Sequence, residues 1–209
     1  MKLAVFGGTG KTGKHLIRQA LDAGYEVVAL VRTPSKLADM QHEHLHVIQG
    51  DIQQADCVQQ TIQGADAVVS VLGPSSNKPE YAISKGMDNI LAAMQQHSVR
   101  RLIISAGAGV RDPQDKPGLI DRAAGLALNI VSKNVVADMQ QVVDKVRAAD
   151  VDWTVVRVPM LTEEPAKGTL KVGYVGDITP RISREDMAAF MLKQVEDATH
   201  IRKAPAISN

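Results

Sequence analysis

The chain has 209 residues, enough for one α/β domain with a full core and too few for two of ordinary size. Its 44% hydrophobic content does not fit a disordered chain, and no apolar run reaches the ~20 residues of a membrane span. Twenty-four Lys and Arg nearly balance 23 Asp and Glu, so charge gives no case for a nucleic-acid or membrane-surface partner.

Leu3, Ala4, Val5 and Phe6 form a short apolar run that ends in glycine, the pattern of a strand buried in a parallel sheet. Gly8, Gly10 and Gly13 satisfy G-x-G-x-x-G, and Gly7 stands three residues before Gly10. After them Leu16, Ile17, Ala20 and Leu21 recur at helical spacing, with Gly24 where a C-cap belongs. Strand, glycine turn and helix in that order point to dinucleotide binding. The glycines let backbone approach a pyrophosphate, and the helix N-terminus turns free N–H groups toward it. Gly10-Lys11-Thr12 also imitates the end of a phosphate loop. That pattern needs glycine where Val5 stands, so an ATPase is rejected.

The second strand, Glu26 to Val31, ends in Arg32-Thr33-Pro34-Ser35-Lys36. An NAD-selective site carries an acid about 20 residues after the glycines to hold the ribose 2′-hydroxyl. None is present here. Arg32 suits a 2′-phosphate, Ser35 offers a hydroxyl and Lys36 adds charge, so NADP(H) is favoured over NAD(H). His42, His44 and His46 precede and enter a third strand, Leu45 to Gln49. In an extended chain they would share one side, but no cysteine or acid in register completes a site, and no metal is expected. Asp51, after Gly50, is set to accept from the adenine amine.

The only cysteine, Cys57, excludes an internal disulfide and reads as a packing residue in a helix from Gln53 to Gln63. The fourth strand is Asp66 to Gly73, with Gly73 leaving room for cofactor ribose and phosphate. A helix is expected from Pro79 to Gln96. Within it Tyr81 and Lys85 match Tyr-x-x-x-Lys, but they follow the fourth strand rather than the fifth, where that proton-donor pair belongs.

Arg100 to Gly109 is the fifth strand and its exit, where Ser105 can donate to a carbonyl of nicotinamide or substrate. Arg111 to Gly118 is a polar loop over the sheet edge. Leu119 to Ala149 is helical with one or two breaks, and Lys133 within it reads as part of a solvated face. No tyrosine lies between Tyr81 and Tyr174, so the usual tyrosine donor is missing where that chemistry needs it. The sixth strand is Val151 to Val158, followed by Pro159-Met160-Leu161 near the nicotinamide. Leu170 to Val175 forms a strand, Ser183 caps a helix running to about Glu196, and Ile201 to Ile207 adds a last strand.

The ordered set Val5-Phe6-Gly7-Gly8-Thr9-Gly10-Lys11-Thr12-Gly13, Ala23-Gly24-Tyr25-Glu26-Val27, Leu30-Val31-Arg32, Gly50-Asp51, Gly64-Ala65-Asp66-Ala67-Val68, Gly86-Met87-Asp88-Asn89-Ile90 and Ile182-Ser183-Arg184-Glu185-Asp186 resembles the atypical short-chain dehydrogenase/reductase superfamily. Within it the chain is most similar to the NAD(P)H-binding, NmrA-like group that contains biliverdin reductase B, the flavin reductase. The resemblance implies a Rossmann-type doubly wound parallel sheet in a single domain, residues 1–209, with about 160–209 contributing to the substrate side. It implies Gly7, Thr9, Gly10, Lys11, Thr12 and Gly13 on the pyrophosphate, and Arg32 on the 2′-phosphate. Asp51 and Ile52 would meet the adenine, and Leu72 and Gly73 the ribose. Ser105, Ala106, Gly107, Pro159, Met160 and Leu161 would surround the nicotinamide. One departure stands out: the reductase has a Thr-Ser pair after its fifth strand, and Gly107 falls at that serine here.

The expected activity is an NADPH-dependent reductase passing hydride to a flavin, a quinone or another planar acceptor without a tyrosine donor. The other reading is an NmrA-type regulator that senses NADP(H) with little turnover; an isomerase or epimerase ranks third. A cytoplasmic protein, monomeric or a small homo-oligomer, is expected.

Overall fold

A computed structural model of the protein describes residues 1–73, 77 and 80–209. The elements in chain order are β1 (Lys2–Phe6), α1 (Lys11–Asp22), β2 (Glu26–Val31), β3 (Leu45–Gln49), α2 (Ala55–Ile62), β4 (Ala67–Ser70), α3 (Ala82–Gln96) and β5 (Arg101–Gly107). After them come α4 (Leu119–Val131), α5 (Lys133–Ala148), β6 (Asp152–Val158), β7 (Met160–Thr162), β8 (Lys171–Gly173), β9 (Arg181–Ser183), α6 (Arg184–Lys193) and β10 (Ala206–Ser208).

Among the described residues the main sheet has eight strands in the order β3-β2-β1-β4-β5-β6-β10-β8. Every pairing in it is parallel except that of β8 with β10. From β1 the chain builds outward through β2 to β3, then returns to the other side of β1 with β4. That reversal opens a crevice at the carboxyl ends of β1 and β4, where ligands of open α/β sheets bind. This is the Rossmann-type architecture expected from the sequence.

Alternation along the strands feeds two cores. Leu3 and Val5 of β1 join Leu16, Ile17 and Ala20 of α1 and Met187, Phe190 and Met191 of α6. Ala4 and Phe6 join Met87, Ile90 and Met94 of α3 and Val142, Val143 and Val146 of α5 on the opposite face. Each fully buried aliphatic side chain of this kind contributes about 1.5–3 kcal/mol. Gly24, at φ +79°, ends α1 in a Schellman turn: Gly24 N–H donates to Leu21 O and Tyr25 N–H to Ala20 O, both near 3 Å.

Several boundaries differ from the sequence reading. Strand β4 stops at Ser70: Val71 N–H still donates to Phe6 O, but Leu72 and Gly73 leave the sheet toward the crevice. The expected start of α3 at Pro79 lies outside the described residues. The helix begins at Ala82 because Asp138 of α5 caps it from a distance, accepting from Ser84 N at 2.9 Å and Ile83 N at 3.4 Å. The 119–149 helix breaks once, at Ser132. The final strand is only Ala206–Ser208, because a 3₁₀ turn at Ala198–His200 and a left-handed Arg202 (φ +55°) take up the residues before it. The three histidines do not form one extended run: residues 43 and 44 make a turn, only His46 lies in β3, and the His42 and His44 rings lie 5.5 Å apart.

Candidate functional site

The glycine turn is built as its sequence requires. Gly7 has φ +86°, and a Cβ there would stand 2.9 Å from the carbonyl carbon of Val71. A Cβ on Gly13 would strike the Gly7 carbonyl oxygen and come to 2.7 Å from Gly8 Cα, so α1 rests directly on the turn. Gly10 N–H donates to Gly7 O at 3.0 Å. Gly10 is the N-cap of α1, with no side chain bonding to the helix end and no acid in the first turn. The first N–H groups of a helix have no intrahelical acceptor, so this end is polarised positive, and its first turn carries no acid.

Beside this turn a cavity of about 1370 Å³ runs along the carboxyl edge of the sheet. One end is Gly10, Lys11, Thr12 and Gly13, with Leu72 and Gly73. The floor is Ser105, Ala106 and Gly107 of β5 with Pro159, Met160 and Leu161 after β6. The remaining lining is largely apolar: Val110, Val135, Val136, Met139 and Ile178, with Met187 of α6 on the α1 side. A cavity for a drug-sized ligand is usually about 300–1,000 Å³, so this one has room for more than one ring system.

The walls are held by charge. Arg157 of β6, wholly buried, donates to both carboxylate oxygens of Asp115, to Val110 O and to Ala204 O. Asp115 also accepts from Asp112 N and Val175 N. This fixes the 108–118 loop and the 174–180 segment, both of which line the cavity. Burial pushes the Asp115 carboxyl up, but the Arg157 guanidinium and the N–H donors outweigh it and hold the group below its usual range. At the start of α6, Ser183 Oγ accepts from Asp186 N at 3.0 Å, the expected cap. Asp186 accepts in turn from Lys167 N, Gly168 N, Ser183 Oγ and Asn209 Nδ2. Burial pushes Asp186 up, and these donors bring it below the usual value.

A further cluster bridges the two ends of the chain. Lys11 Nζ lies 3.0 Å from Glu163 Oε1, and Arg184 Nε lies 2.7 Å from the same oxygen. Arg184 Nη1 donates to Thr12 Oγ1 at 3.2 Å. The two cations lower the Glu163 carboxyl, Lys11 foremost.

Of the residues expected from the sequence, Gly10, Lys11, Thr12, Gly13, Leu72, Gly73, Ser105, Ala106, Gly107, Pro159, Met160 and Leu161 meet around this one cavity. Gly7 and Thr9 lie in the turn just outside it. Ser105 is nearly buried, and its hydroxyl makes no hydrogen bond among the described residues. Arg32, Ser35 and Lys36 form an exposed rim after β2, next to the glycine turn, and Arg32 has no ion pair among the described residues. Asp51 accepts from Gln53 N at 3.0 Å and so closes its own turn, while Ile52 packs against Gly86 of α3. Tyr81, Lys85 and Lys133 are absent from the cavity lining; Ser132, the N-cap of α5, and Val135, Val136 and Met139 within α5 line it instead.

Sequence reasoning missed Glu163, the Arg157–Asp115 pair and the 175–180 wall. Arg184 was in view within the helix-start signal Ile182-Ser183-Arg184-Glu185-Asp186, but only as local structure. An arginine inside the hydrophobic strand Val155-Val156-Arg157-Val158 was the one local sign of a buried ion pair.

The residues present fit a dinucleotide: glycines 7 and 13 stand where a Cβ would fill the turn, and the α1 N-terminus has no capping side chain. Comparison with known proteins agrees. A family model described as NAD(P)H-binding matches residues 7–198. The chain is similar to a 3 beta-hydroxysteroid dehydrogenase/Delta 5-->4-isomerase of Mycobacterium tuberculosis, 32% identical over 121 residues, covering 52% of this chain and 32% of that protein. It is similar to Oxidoreductase aflX of Aspergillus parasiticus, 28% identical over 167 residues, covering 73% of this chain and 61% of that protein. The match therefore spans about a third of the first relative and three-fifths of the second. The fold superposes on a short-chain dehydrogenase/reductase from Veillonella parvula, crystallised in complex with NADP, at a TM-score of 0.81 and 18% identity, covering 100% of this chain and 94% of that one. Among the described residues no helix is long and apolar enough to cross a membrane, and no three His, Cys, Asp or Glu side chains gather as a metal site would need.

Proposed function

The chain belongs to the NAD(P)H-binding family, and we propose that it acts there as an NADPH-dependent oxidoreductase on a planar, largely apolar acceptor such as a flavin or quinone. The observation that carries this reading is the continuity of the cavity, from the glycine turn at Gly10–Gly13 to the apolar lining of Val135, Val136, Met139 and Ile178. When bound, the nicotinamide supplies the hydride. The glycine turn and the α1 N-terminus hold the pyrophosphate, with Arg32, Ser35 and Lys36 on the 2′-phosphate, Asp51 and Ile52 at the adenine, and Leu72 and Gly73 at the ribose.

Ser105 Oγ donates to a carbonyl of the nicotinamide or the acceptor. Ala106, Gly107, Pro159, Met160 and Leu161 bound the ring. The apolar wall excludes water and sets the acceptor face to face with the nicotinamide, so that orientation supplies most of the rate. The α5 face toward the cavity, Val135, Val136 and Met139 with the N-cap Ser132, offers no phenol or amine. Solvent or the acceptor then supplies the proton. The segment from about residue 160 to 209 forms the acceptor side, and the NADP complex of the Veillonella relative supports the choice of phosphorylated cofactor.

The test is NADPH oxidation by the purified chain against FMN, riboflavin, quinones and tetrapyrroles. Turnover with at least one planar acceptor is expected. Tight NADPH binding with no oxidation by any acceptor would move the reading to a cofactor-sensing regulator.

A further inference from the structure

Glu163 presents one oxygen, Oε1, to two cations at once: Lys11 Nζ at 3.0 Å and Arg184 Nε at 2.7 Å. An oxygen shared by an ammonium and a guanidinium is the arrangement that a phosphate oxygen adopts in an anion site. The pair of cations flanks the first turn of α1: Lys11 is its first residue, and Arg184 reaches across from α6 to the hydroxyl of Thr12. Both line the cavity that begins at the glycine turn.

The two cations differ in how firmly they are held. Arg184 opens α6 behind the Ser183 cap, and its side chain is only 23% exposed. Glu163 is 56% exposed, on a segment secured further along by Asp186 through Lys167 N and Gly168 N. A half-exposed carboxylate can turn into water at little cost, because surface ion pairs are weak. The arginine has no such freedom. Lys11, at 70% exposure, follows whichever anion is present.

Resting on the reading above, we propose that Arg184 and Lys11 form a two-cation clamp on the diphosphate of the cofactor, and that Glu163 is its displaceable counter-ion. In the free protein the carboxylate holds the clamp in shape. On binding, the diphosphate takes over both cations and Glu163 moves out to solvent. Glu163 therefore competes with the cofactor within the molecule, lowering its affinity and speeding its release. The glycine turn supplies neutral N–H donors; Arg184 supplies a charge from the far end of the chain, closing the acceptor-side segment against α1.

The experiment measures Kd by fluorescence titration for NADPH and, by displacement of NADPH, for adenosine 2′-monophosphate, which has the 2′-phosphate but no 5′-phosphate. Arg184→Gln is expected to weaken NADPH tenfold or more while leaving the monophosphate within twofold. Glu163→Gln is expected to tighten NADPH about three- to tenfold. In the double variant the Glu163→Gln gain is expected to vanish, because no clamp remains to be freed. Thermal melting of each variant keeps a folding defect visible, and a folding defect weakens both probes alike. The proposal is overturned if Arg184→Gln binds NADPH within twofold of the unaltered chain, if both probes weaken equally while the melting temperature is unchanged, or if Glu163→Gln weakens NADPH. Those results leave the oxidoreductase reading standing. An unaltered chain that binds no NADPH overturns that reading and this proposal together.

Discussion

Both terminal nitrogens of Arg157 meet the carboxylate of Asp115, at 2.8 and 2.7 Å, and no part of the arginine reaches solvent. Two further donors are spent on Val110 O at 3.0 Å and Ala204 O at 2.8 Å, so four of the five guanidinium N–H groups are hydrogen-bonded away from water. Removing one partner of such a pair strands a buried charge, at a cost of about 3–5 kcal/mol. Asp115→Ala is expected to lose stability in that range by urea denaturation. Arg157→Met should cost less, because Asp115 keeps the N–H donors of Asp112 and Val175 and is partly wetted. Equal stability of Asp115→Ala and the parent would refute the role given to this pair.

Two of the depressed carboxyls, the part-buried Asp115 and Asp186, define an acid limb. Each has a folded value below the ordinary 3.8, so the unfolded chain binds protons first as pH falls. Their stabilisation is complete above the ordinary value and is lost as pH drops through the lower folded one. The stability difference between the parent and Asp186→Asn is therefore expected to be flat from neutral pH to about 5 and to shrink below about 4. A difference that widens in acid would contradict the assignment.

The parts legible in the sequence were those encoded by neighbours along the chain. The glycine spacing, the Gly24 cap, the Ser183 cap and the alternation in β1 each depend on a few adjacent residues, and the order of strands and helices followed from them. What was hidden depends on residues far apart. Asp138 caps α3 from more than fifty positions away, Asp115 meets Arg157 across the sheet edge, and Glu163 meets Lys11 from the opposite end of the chain. Short strands such as β8 and β10 owe their pairing to each other rather than to local propensity, so their limits could not be read in advance.

Two glycines separate folding from binding. Alanine at Gly13 would drive a methyl into the backbone of Gly7 and Gly8, which cannot yield without opening the turn. Gly13→Ala is expected to weaken NADPH binding at least tenfold and to lower the melting temperature. At Gly107, on the cavity floor, a Cβ meets no atom within 4 Å. Gly107→Ala should therefore melt within about 3 °C of the parent, less than 1 kcal/mol in a chain of this size. Its methyl stands in the space given to the ring, so the KM of the acceptor or of NADPH should change. Unchanged kinetics in Gly107→Ala would move the nicotinamide away from β5.

The choice of cofactor rests on Arg32. It stands exposed at the end of β2, the strand paired with β1, and has no carboxylate partner among the described residues. An unpaired guanidinium at that edge is available to the 2′-phosphate and offers nothing specific to the 2′-hydroxyl of NADH. Arg32→Glu replaces an attraction with a repulsion for the phosphate while offering a ribose acceptor. The KM for NADPH is expected to rise tenfold or more, about 1.4 kcal/mol or greater, with kcat little changed, because the lost contact is the same in ground and transition states. The KM for NADH should stay level or fall. Because the site is open to solvent, the NADPH effect should shrink as salt is raised toward 1 M, where the screening length is about 3 Å. Parallel kinetics with both cofactors at low and high salt decide the matter: an NADPH KM that Arg32→Glu leaves unmoved at low salt removes Arg32 from the site and with it the case for NADPH over NADH.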